Sequence, residues 1–177
     1  MEQIRVYARW LVGSLACLAI ATIADMPMAR SQPLSGTVVR TGDGDDITVR
    51  TPQGNLLKVR LACIDTPELA QAPFGRAATT RLQQLLPVGS TVTVRVADVD
   101  RYQRSVGEVY YNNRSINLQL VREGHAAVYR RYLQSCPATR EQYLTAENQA
   151  KQQRLGFWQQ ASPVMPWEFR RRQRSQR

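Results

Sequence analysis

The chain has 177 residues, 43% of them hydrophobic, which is enough for one folded domain with a real core plus processing or tail segments. Its 24 Lys+Arg against 14 Asp+Glu give a formal net charge of +10, favouring a polyanionic partner such as nucleic acid or an anionic membrane surface. One histidine, His125, excludes a His-rich metal site, the few cysteines exclude structural zinc, and no G-x-S-x-G elbow supports a Ser-His-Asp triad.

Arg5 and Arg9 precede an apolar run from Trp10 to Ala24, after which small residues and a polar change of composition follow. This is the layout of a secretory signal peptide, assigned to residues 1–29, and it implies an exported protein, periplasmic or extracellular. The alternative is an uncleaved membrane anchor, although the run is shorter than the roughly 20 apolar residues of a spanning helix. Cys17 lies inside the run, so cleavage leaves Cys63 and Cys136 in a chain that folds in an oxidising compartment. A single disulfide between them is expected there; the other reading is a buried thiol at Cys63 and an exposed one at Cys136.

From Leu34 the pattern turns into short alternating runs, Gly36 to Arg40, Ile47 to Thr51 and Leu56 to Ala62, separated by turn residues, which predicts a three-stranded meander. Phe74, Ala78, Leu82 and Leu85 recur at helical spacing and stop at Pro87-Val88-Gly89, predicting an amphipathic helix. Strands resume at Thr91 to Val96 and Val106 to Tyr111; a short helix from Asn117 ends at Gly124, and a longer one from Ala138 to Arg154 ends at Gly156. Five short strands with about three helices between and after them predict an α+β, mainly β fold, a five-stranded OB-type barrel over residues 34–160. The tail, 161–177, carries Arg170, Arg171, Arg172, Arg174 and Arg177 without an apolar period and is expected to be mobile, its charges lacking carboxylate partners.

Three acidic and basic clusters stand out. Asp43-Gly44-Asp45-Asp46 reads by itself as a hairpin turn. In Arg60-Leu61-Ala62-Cys63-Ile64-Asp65-Thr66-Pro67-Glu68 a strand carries Arg60 and then breaks at Pro67, turning Asp65 and Glu68 toward one rim. Carboxylates and a carbonyl brought together are hard oxygen ligands, suited to Ca²⁺ and less to Mg²⁺. Asp100-Arg101-Tyr102-Gln103-Arg104 is a turn that presents two guanidiniums and a phenol; alone it reads as a solvated basic hairpin.

In this order and spacing, and with Gln71-Ala72-Pro73-Phe74-Gly75, Val121-Arg122-Glu123-Gly124, Ala146-Glu147 and Gly156-Phe157-Trp158 following, the three clusters resemble the thermonuclease (staphylococcal nuclease) family from about Ser35 to Trp158. The resemblance implies a Ca²⁺-dependent phosphodiesterase that cuts DNA and RNA, single-stranded or frayed, and acts as a monomer. By position it implies that Asp45 and Asp65 bind Ca²⁺ through side chains and Thr66 through its carbonyl, with Asp43 close behind. Glu68 then acts on the attacking water, as base or positioner, and Arg60 and Arg104 hold the scissile phosphate. Arg101, Tyr102 and Tyr132 fall where the family contacts its substrate, while Arg130 occupies a further position that is aromatic in the family. Asp46 stands where threonine is common, and Cys63 and Gln103 stand where glycine is frequent. A non-catalytic OB-fold binder and a secreted interaction module that has lost activity are the rival readings. Acids repel phosphate unless a cation lies between them, and a binder has no use for Asp45, Asp65 and Glu68 among its arginines.

Overall fold

The computed structural model describes residues 33–176; the segment read as a signal peptide lies outside the described residues. Alternating apolar residues build the barrel. In β1 (Leu34–Thr41), β2 (Asp46–Arg50) and β3 (Leu56–Leu61) the side chains of Val38, Ile47, Val49, Val59 and Leu61 are buried, while Arg50, Lys58 and Arg60 alternate with them. After β4 (Ile64–Asp65) and a helix, β5 (Thr91–Val99) and β6 (Ser105–Tyr111) bring in Val92, Val94 and Val109. Each such side chain stabilises the fold by about 1.5–3 kcal/mol through burial.

The sheet order is β3-β2-β1-β5-β6, extended at β6 by the two-residue β7 (Arg114–Ser115), and a parallel pairing of β3 with β6 closes the ring. That closure sets Val59 beside Ser105, Arg60 beside Val106 and Leu61 beside Gly107. All five predicted strands are barrel strands. Register slips in β1 between Val38 and Arg40, and in β5 between Val96 and Asp98, are the local bends such a small barrel requires.

Helix α1 (Phe74–Leu85) buries Ala78 and Leu82, as its predicted stripe requires. Helix α2 (Ile116–Arg122) starts at Ser115, whose Oγ accepts a hydrogen bond from the Leu118 amide. Helix α3 (Arg140–Gln152) buries Tyr143, Ala146, Glu147 and Ala150, spaced i, i+3, i+4, i+7. Gly124 and Gly156 do more than end helices. Both have positive φ, 70° and 53°, and each backbone lies so close to the other that a Cβ on either would run into it.

Two expectations are corrected. The tail is not a mobile segment: Pro166–Ser175 forms a further helix, α4, with Pro166 in its first turn, where proline's missing N–H costs nothing. The helix is held by the Trp167 ring, stacked on Tyr129 with centroids 4.9 Å apart, and by Met165 and Trp167 packing on a small apolar cluster of Ala127, Ala150, Phe157 and Trp158. The second correction concerns the tail's charges, described below.

Cys63 and Cys136 are joined as a disulfide across 73 residues, with Cα atoms 6.4 Å apart. Cys63 has φ 66° and Gln103 φ 61°, so at both positions where glycine had been expected the backbone keeps the left-handed conformation that glycine favours.

Candidate active site

The site forms where β3 ends. Strand alternation turns Arg60 away from the core that takes Val59 and Leu61, and antiparallel pairing with β2 sets it opposite Asp46. The chain then turns at Cys63 and runs briefly as β4, pairing with β8 (Ala127–Val128), so Asp65 is fixed on both sides. Asp45 and Asp65 are buried, 2% and 0% exposed, and Thr66 with them. A buried carboxylate needs a counter-charge, and Arg60 supplies it to both: Nη1 lies 2.8 Å from Asp45 Oδ1, and Nη2 lies 2.7 Å from Asp45 Oδ2 and 2.6 Å from Asp65 Oδ1. The Thr66 amide donates to Asp45 Oδ2 at 3.2 Å.

Asp43, Asp45 and Asp46 also converge, each offering one oxygen, the three within 4.8 Å of one another. Packing like charges has its expected effect. Burial pushes Asp45 up to about 7 although Arg60 pulls it down; the hydrogen bond with Asp46, then burial, pushes Asp43 up to about 6. Asp46 moves the other way: burial opposes it, but hydrogen bonds from Asp43 and the charges of Arg40 and Arg104 hold it below the ordinary carboxylate range. The donor set is oxygen only, carries several negative charges at one rim, and suits a hard cation such as Ca²⁺.

These shifts have a sign that can be tested. Asp43 and Asp45 bind a proton more readily folded than unfolded, so the stability they contribute is fully present below about pH 4 and is lost as pH rises through about 6 and about 7. His125, lowered by burial, contributes in the opposite sense, its stability being lost as pH falls through its folded pKa. Urea unfolding of cation-free protein should therefore show Asp45→Asn gaining stability relative to the parent between about pH 5 and about pH 8. Parallel profiles for the two proteins would contradict the assignment.

The other site residues group differently from the sequence reading. Glu68 stands beside Asp65, and the two share one partner that the sequence did not reveal. Arg170 of α4 places Nη1 2.6 Å from Glu68 Oε1 and 3.0 Å from Asp65 Oδ1, and Nη2 2.6 Å from Asp65 Oδ2. The tail's charges thus do have carboxylate partners, correcting the expectation that they lack them. No local pattern marks Arg170 among its neighbouring arginines; the usable signals were Pro166 and Trp167, a helix start with an aromatic anchor.

Arg104 immediately precedes β6, whose first residue pairs with β3, but its guanidinium is turned to Asp100, Nη2 to Oδ2 2.7 Å, and not to the carboxylate group around Arg60. Arg101 and Tyr102 lie exposed on the same turn, Arg101 Nη2 donating to the Tyr102 hydroxyl at 2.8 Å. Tyr132 is edge-on to Tyr129 at 5.0 Å, and Tyr129 in turn stacks on Trp167. Arg130 is tied down by the fully buried Glu147, which also accepts from Lys151 and from the Val128 amide. Arg101, Tyr102, Arg131 and Tyr132 are exposed, as are Arg171, Arg172 and Arg174 of α4, side chains of the aromatic and cationic kinds that hold nucleic-acid strands.

The family described as "Staphylococcal nuclease homologue" matches residues 58–160. The chain is 39% identical over 140 residues to an endonuclease of Escherichia coli, covering 78% of this chain and 86% of that one. It is 36% identical over 169 residues to a micrococcal nuclease of Shigella flexneri, covering 90% and 94%. An endonuclease of Haemophilus influenzae is 36% identical over 137 residues, covering 77% and 73%.

Proposed function

Because the chain belongs to the staphylococcal nuclease family, and so is a hydrolase acting on nucleic acid, we propose that it is an exported, Ca²⁺-dependent endonuclease that cuts phosphodiester bonds in both DNA and RNA. The observation that carries this reading is the pair of buried carboxylates, Asp45 and Asp65, bridged by one arginine and opening onto Glu68 at the rim. Asp45, Asp65 and the Thr66 carbonyl would hold the cation, with Asp43 behind them. When bound, Ca²⁺ adds positive charge beside the phosphoryl oxygens.

The protein's own residues do the rest. Hydrolysis forms a bond from the water oxygen to phosphorus and breaks one phosphorus–oxygen ester bond. Negative charge accumulates on the non-bridging oxygens, and the planar forks of Arg60 and Arg104 match those oxygens while staying charged throughout. Glu68, two-sevenths exposed at 29%, accepts the water's proton or fixes its direction. Arg104 reaches the phosphate by exchanging its Asp100 contact for it, a side-chain rearrangement of ordinary size for ligand binding. Arg101, Tyr102 and Tyr132 hold the flanking nucleotides, by stacking and by charge, and the chain works as a monomer.

Substrate class and cation are tested together by incubating the protein with single-stranded DNA and with RNA across a series of cations. Cleavage of both with Ca²⁺ is expected, and no cleavage with Zn²⁺ alone; full activity with Zn²⁺ alone would count against the oxygen-only cation site. Export is supported by the Cys63–Cys136 disulfide, a bond that persists in oxidising compartments. Exported protein alkylated without reductant should show no modified Cys63 or Cys136 by mass; two freely alkylated thiols would refute this part of the reading.

A further inference from the structure

Arg170 uses the same oxygens that the proposed cation needs. Both oxygens of Asp65 are taken: Oδ1 by Arg60 and Arg170, Oδ2 by Arg170, while Glu68 Oε1 takes Arg170 as well. Arg60 takes Asp65 Oδ1, whereas Arg170 competes with a divalent cation for Asp65 Oδ2 and Glu68 Oε1, so filling these oxygens with one positive charge weakens the hold on the other. The guanidinium is also not a stray surface charge. Its helix is seated by the Trp167–Tyr129 stack, by Pro166 buried at its start, and by Gln71 Nε2 donating to the Val164 carbonyl at 2.9 Å. Arg171, Arg172 and Arg174 on the same helix are exposed.

We infer that α4 is a built-in latch in which Arg170 stands in the place of the divalent cation, compensating Asp65 and Glu68 until the cation displaces it. The latch raises the cation concentration at which the enzyme becomes competent, and it keeps Glu68 tied up until then. Exposed arginines on the same helix give a polyanionic strand a handle on it, so nucleic acid and cation favour the same released state and each strengthens binding of the other. Arg170 lies outside residues 58–160, the region that the family match covers.

This inference rests on the reading that Asp65 binds the cation, and calorimetric titration of Ca²⁺ into the full chain separates the two. Arg170→Gln should bind Ca²⁺ more tightly than the parent by at least about fivefold, the lower end of typical coupling between sites. Arg154→Gln removes the same charge from an exposed position outside α4 and should leave the affinity unchanged. Arg170→Lys keeps the charge but loses the two-pronged grip and should shift affinity the same way by less; it carries the test if the glutamine variant fails to fold. Equal or weaker Ca²⁺ binding by a folded Arg170→Gln protein overturns the latch alone. Absence of Ca²⁺ binding in parent and variants overturns the cation site and the latch with it.

Discussion

Arg60→Ala, Arg104→Ala and Glu68→Gln are each expected to lower turnover on single-stranded DNA by at least about 10² to 10³, the usual effect of removing one charge-stabilising donor from a preorganised site. The three differ in what they do to the fold. Glu68 and Arg104 are at a wet rim, 29% and 28% exposed, and their variants should melt close to the parent. Arg60 is the counter-charge of two buried carboxylates, so Arg60→Ala should also lower the melting temperature of the cation-free protein. Circular dichroism and thermal melting measured beside turnover separate these effects. If all three variants stay folded and cut within a few-fold of the parent, the catalytic assignment fails.

The largest loss of stability is expected from Asn117→Ala. This fully buried side chain accepts from the Val109 amide at 2.9 Å and donates to the carbonyls of Ala62 and Gly107 at 3.0 and 3.3 Å. It therefore ties α2 to the parallel seam where β3 meets β6, just ahead of the turn that leads to Asp65. Truncation leaves the Val109 amide and the Ala62 carbonyl without that partner, at about 1–3 kcal/mol each, while the Gly107 carbonyl keeps the Ala62 amide, so a cost of at least about 2 kcal/mol is expected against a typical total of about 5–15. Urea unfolding of the variant measures it; a change below about 1 kcal/mol would mean that water or a shifted helix replaces the side chain.

Asn117 also shows what the sequence could not tell. Its position at the start of a helix was legible, but its three partners lie 8, 10 and 55 residues away and meet it only because the barrel closes. The barrel strands were legible because each keeps a period of two, as with Val59 and Leu61 against Lys58 and Arg60, and a period survives without knowledge of tertiary contacts. Arg60, Asp65 and Glu68 were legible as one cluster for a related reason: a strand and its terminating proline fall within nine residues of chain, positions 60–68. Asp45 joins them through an antiparallel neighbour, also short in sequence.

The tail misled. Its helix has arginine on most faces, so no apolar stripe announced it; the docking residues, Pro166 and Trp167, precede the charges. The partners of Arg170 are 102 and 105 residues away, and nothing local distinguishes it from Arg171 or Arg172. Long-range ion pairs of this kind are decided by where a helix lands.

On the proposed function, phosphodiester cleavage requires a hard divalent cation held at Asp45 and Asp65. The most direct measurement follows cleavage of single-stranded DNA by one preparation of the full chain with Ca²⁺, after addition of excess chelator, and after Ca²⁺ is restored. Cutting that stops with chelator and returns with Ca²⁺ is the expected result, and full activity in the presence of chelator would contradict it.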